Sequence, residues 1–99
     1  MELNQDKITP EKLERYFRIT QQALEMAKKS ELDPSRKVEA LDFLDMAERY
    51  LSDAKDHFFR KGDFVNAFAA VNYAHGWLDA GARIGLFKVS DSRLFTVDG

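Results

Sequence analysis

The sequence predicts an all-α fold, a three-helix up-and-down bundle with a short extended or hairpin-like C-terminal tail. Three observations carry this. The only two prolines, Pro10 and Pro34, directly follow the capping residues Thr9 and Asp33, which marks two helix starts. Apolar residues recur at three-to-four spacing through most of the chain, the period of a helix face. Lys61-Gly62-Asp63 joins two such stretches. Its glycine can end one helix and its aspartate can cap the next, so the chain reverses there.

The first helix is predicted over about 10–30, with Leu13, Tyr16, Phe17, Leu24 and Ala27 as its apolar stripe. Residues 30–33 form a short connector. The second helix is predicted over about 34–61, with Leu41, Leu44, Ala47, Leu51, Ala54 and Phe58 facing the core. Asp42, Asp45, Glu48, Arg49, Asp53 and Lys55 supply its wet side.

The third helix, about 63–86, is apolar around most of its circumference. Such a helix is buried on more than one side, so it is expected to be the most buried element, wedged between both neighbours or offering one face to another chain. At about 100° per residue, Asn72, His75, Asp79 and Arg83 fall in one polar sector about 80° wide. Tyr73, Trp77 and Ile84 share another sector with Val65, Ala69 and Ala80. Glycine within a helix costs about 1 kcal/mol against alanine. Gly81, sharing a face with Ala74, Ala70 and Ala67, therefore reads as a close approach of a neighbouring helix, and Gly85 as part of that face or as the helix end. In the tail, 87–99, a Ser-Asp-Ser centre separates two β-prone pieces. Two strands alone are marginal in water, so Leu94, Phe95 and Val97 need a surface to rest on.

Bulk properties bound the rest. Ninety-nine residues make one domain, long enough for a single core. A 44% hydrophobic fraction fits a globular chain. Charged residues reach 32%, yet the net charge is only −2. A nucleic-acid binder carries a basic excess or face, and here the basic pairs 28–29, 36–37 and 60–61 are dispersed, so no nucleic-acid partner is expected. With no cysteine, disulfides, cysteine-bound zinc and thiol catalysis are excluded. No apolar run has the length of a membrane span, and Met1–Asp6 has no apolar signal core. The expected setting is the cytoplasm, without a membrane partner.

No catalytic motif is present. Asn72, His75, Asp79 and Arg83 form the one defensible polar constellation. His75 and Asp79, four residues apart, can hydrogen-bond as a base with its orienting carboxylate, and Arg83 can clamp an anionic group. The plainer reading pairs Asp79 with Arg83 and leaves Asn72 and His75 at an exposed edge. Tyr73, Trp77 and Ile84 are either core or an interaction surface, since aromatic residues anchor interfaces. His57, at the end of the second helix, reads as a partly exposed histidine. Two histidines without metal-site spacing, and helix-two carboxylates without partner ligands, predict no metal and no cofactor.

The stretch from Lys61 to Phe87 resembles the signature of a small archaeal family, domain of unknown function 357. The resemblance lies in Gly62-Asp63, Asn66, Asn72-Tyr73, Gly76-Trp77-Leu78-Asp79 and Gly81, and Leu94-Phe95-Thr96-Val97 is similar to the family's ending. It implies a three-helix bundle in an archaeal cytoplasm and assigns no activity. The expectation is a non-enzymatic module that binds a protein partner or its own copy. The alternative is a small-ligand-binding domain or minor enzyme using Asn72, His75, Asp79 and Arg83.

Overall fold

In the computed structural model, residues 7–91 and 93–95 are described. Among them are three long helical segments and no strand beyond one isolated bridge. Helix α1 spans Pro10–Lys29, α2 spans Lys37–Ser52 and α3 spans Phe64–Arg83.

The helix starts arise from local chemistry. Thr9 Oγ1 accepts the Lys12 N–H at 3.1 Å, and Asp63 accepts the Asn66 N–H at 3.2 Å. Asp33 accepts the Ser35 N–H at 3.0 Å, but a 3-10 turn, Pro34–Arg36, intervenes before α2 begins. The stretch predicted as one helix over 34–61 thus contains three kinds of helical turn. After Ser52 the chain continues in π-helical turns, Asp53–Phe59. These wider turns set adjacent side chains closer in angle, and Phe58 and Phe59 are both half-buried. Phe59 meets Phe17 edge-on at 5.5 Å and stacks on Phe64 at 5.5 Å.

Both glycine stops use the same device. Gly62 and Gly85 have φ of 74° and 78°. The Asp63 N–H reaches back to the Phe58 carbonyl at 2.9 Å and that of Gly62 to Phe59 at 3.1 Å. The Leu86 N–H reaches Gly81 at 2.8 Å and that of Gly85 reaches Ala82 at 3.2 Å. Each pair satisfies carbonyls that a helix end would otherwise leave open.

Helix α3 packs against both other helices. On one flank Phe68 stacks on Tyr16 at 5.2 Å. On the other, Tyr73 meets Tyr50 at 4.5 Å and Trp77 meets Phe43 at 4.9 Å, both edge-on. Between them Ala67, Ala70, Val71, Ala74 and Leu78 are buried. Its outward face is open, so α3 has seven buried residues against six in α1, a small margin. Two expectations are corrected. Leu41 is 50% exposed rather than in the core; Ala40 takes the inward position, and one residue further round points elsewhere. The close neighbour of Gly81 is a tail side chain, the ring of Phe87, rather than a helix backbone.

The described part of the tail contributes to the core. Leu86, Phe87 and Phe95 are each at most 2% exposed. Its first residues pair with the connector between α1 and α2 instead of with the tail itself. Leu32 and Phe87 form the antiparallel bridge, the Asp33 N–H donates to Leu86 at 2.9 Å, and the Lys88 N–H donates to Glu31 at 3.0 Å. Arg36 adds a guanidinium bond to the Ile84 carbonyl at 2.6 Å. Val97 and Thr96 lie outside the described residues. Among the described residues no helix is long and apolar enough to cross a membrane.

Candidate functional site

The polar sector of α3 is divided. His75 and Asp79 face α1 and the tail, whereas Asn72 and Arg83 point outward and are exposed. Neither Asn72 nor Arg83 makes a side-chain hydrogen bond or ion pair among the described residues.

His75 joins three segments. Its Nδ1 lies 3.0 Å from Oγ1 of Thr20 on α1, and its Nε2 lies 2.7 Å from the Leu94 carbonyl in the tail. Asp79 Oδ1 lies 3.6 Å from the same Nε2, within ion-pair range but too long for a hydrogen bond. A carbonyl can only accept, so Nε2 carries a proton and donates to Leu94. In the neutral ring Nδ1 is then an acceptor, and the Thr20 hydroxyl donates to it. The Asp79 carboxylate lies beside the N–H edge, the side where negative charge is favourable.

The helical period explains the placement. Thr20 succeeds Leu13 and Phe17 on the buried face of α1 and is 3% exposed. A hydroxyl buried there costs stability unless it is paired, and His75 pairs it. The row Thr20–His75–Asp79 has the residue types of a nucleophile, base and orienting acid. In this geometry the hydroxyl is closed off from solvent, and both ring nitrogens are engaged within the protein. The arrangement latches the tail to α1 and α3. Thr20 escapes sequence reasoning, although a lone hydroxyl at stripe spacing is a usable signal; the Leu94 carbonyl has no side-chain signature at all.

The aromatic candidates are also divided. Tyr73 is 52% exposed and Ile84 is 50% exposed. Trp77 is half-buried between Phe43 and Tyr73, and its indole N–H is buried without a hydrogen-bond partner. His57 is exposed beside the Phe58 ring, 4.9 Å away. Among the described residues no three His, Asp or Glu side chains converge as a metal site requires.

An open groove of about 1310 Å³ runs along the outward side of α1, bounded by the tail. Phe17, Met26, Val89 and Leu94 give it apolar walls. Asp91 on its edge holds its carboxyl below the usual range because the Arg93 guanidinium and backbone N–H donate to it. None of Asn72, His75, Asp79 or Arg83 lines this groove; Leu94, which His75 holds, does.

A family model described as a protein of unknown function, DUF357, matches residues 15–87. The chain belongs to the DUF357 family. The DUF357 match takes in Thr20, His75, Asp79, Gly81 and Phe87 and stops short of Leu94, the third member of the latch. No curated protein and no solved structure matches the chain.

Proposed function

We propose that the protein is a non-enzymatic interaction module whose docking surface is the outward face of α3. One observation carries the reading. Val65, Tyr73 and Ile84 are 70%, 52% and 50% exposed on that face; beside Ala69, Gly76 and Ala80, its polar side chains among the described residues are Asn66 and Asn72, and Arg83 is its one charged side chain. Solvent-facing helix surfaces ordinarily carry charge, and large apolar side chains grouped on one exposed helix face suit a contact site.

The partner that suits this face most simply is a second copy of the chain. A two-fold contact presents the same patch from both sides, and in an antiparallel pair centred near Gly76 the two Arg83 side chains lie at opposite ends. A nucleic-acid partner is not part of the reading, because the net charge is −2 and the basic pairs are dispersed along the sequence.

Sedimentation equilibrium at micromolar concentration tests the proposal. The expected result is a reversible dimer that Val65→Glu with Ile84→Glu, both at exposed positions, dissociates while the melting temperature of the monomer is kept. A chain that stays monomeric across the concentration range overturns it.

A further inference from the structure

The geometry points to the groove between α1 and the tail as a binding site for a small amphiphilic anion, an apolar body with a carboxylate or phosphate head. The observation is independent of the α3 face. The groove has a volume of about 1310 Å³ and is open to solvent along its length, so an elongated guest can lie in it with one side exposed. Its apolar surface comes from Phe17, Met26, Val89 and Leu94.

Charge selects the head group. Among the described residues five cations line the groove, Arg18, Lys29, Lys55, Lys88 and Arg93, against three carboxylates, Glu14, Glu25 and Asp91. This is a local cationic excess on a chain whose net charge is −2. Arg93 is held by Asp91 and Lys88 by Glu31, while Glu25 accepts from the Gln21 amide at 3.0 Å. Arg18, Lys29 and Lys55 have no ion-pair partner among the described residues. They are the cations able to take an incoming anion, and an arginine can do so with two parallel bonds.

The latch gives the site its wall. Leu94 contributes its side chain to the groove and its carbonyl to His75. Thr20 and His75 are therefore positioning residues, acting on a ligand they do not touch.

The test is titration of the 15N-labelled chain with decanoate, decyl phosphate and decylammonium, monitored by NMR. Shifts centred on Gln21, Gln22 and residues 88–91 with either anion support the inference, and the tighter anion names the head group. Arg18→Glu with Lys29→Glu, both on the exposed side of α1, is expected to weaken anion binding about tenfold, the loss of one charge-assisted contact. His75→Ala is expected to weaken it as well, with the largest shift changes at 88–91. Tyr73→Glu is expected to leave it unchanged, which separates this site from the α3 face. Binding of decylammonium as tight as decanoate, shifts centred on Tyr73 and Ile84, indifference to the charge reversal, or no anion binding each overturn it.

Discussion

The Phe87 ring occupies the space that a side chain at Gly81 would need. Phe87 is 1% exposed, and the backbone turn at Gly85 brings it back onto α3. The glycine at 81 is thus a seat for an aromatic ring, and the usual helix penalty of about 1 kcal/mol is offset by the ring's burial. Gly81→Ala is expected to destabilise the fold by about 1–3 kcal/mol, the ordinary cost of overpacking. Phe87→Ala removes the obstacle, so alanine at 81 should then cost far less. Urea unfolding of the two single variants and the double variant measures the coupling; strictly additive losses would refute the steric account.

Much of this architecture is legible in the sequence because short-range chemistry encodes it. Thr9, Asp33 and Asp63 each cap a turn as their positions imply, and Gly62 adopts the positive φ that its place after Phe58 and Phe59 requires. The illegible parts depend on partners distant in sequence. The separation of 55 positions between Thr20 and His75 leaves no periodic trace, and a carbonyl such as that of Leu94 has none either. His75 and Asp79 stand out as a pair, but which flank of the polar sector the tail covers, separating them from Asn72 and Arg83, is decided by tertiary packing. Leu41 shows the same limit, since the stripe defines the helix but not which of two adjacent apolar residues turns inward.

The latch predicts a coupled loss. Thr20→Val removes the hydroxyl at 3.0 Å from His75 Nδ1 and leaves an unpaired ring nitrogen, for an expected cost of about 1–3 kcal/mol. In a His75→Ala background the hydroxyl has already lost its partner, so the same change should cost much less. A double-mutant cycle with coupling near zero would mean that the Thr20–His75 contact does not tie α1 to α3.

Three aspartates make the fold acid-sensitive. Asp33 sits below its ordinary value of 3.8, first through the Ser35 hydroxyl and then through Arg36. Asp63 is lowered chiefly by the Asn66 amide and Asp91 chiefly by the Arg93 side chain. A carboxylate lowered by folding contributes stability above its unfolded value and loses it as pH falls through the folded one. The melting temperature should therefore be steady near neutrality and decline once pH drops below 3.8. Asp33→Asn should shrink that decline. An unchanged acid profile in the variant would show that the Asp33 contacts do not persist in solution.

Gly76 differs from Gly81. It lies within α3, is exposed, and has nothing near the position of an added Cβ. Gly76→Ala should therefore stabilise the isolated chain by about 1 kcal/mol, the helix-propensity difference, with no steric cost. The same glycine sits at the middle of the face proposed for docking, where a small residue lets another backbone approach. The substitution should then raise the melting temperature at low concentration and weaken self-association at high concentration. Opposite signs in those two measurements separate a functional reason for glycine at 76 from an accident of sequence; a variant gaining in both would remove position 76 from the contact.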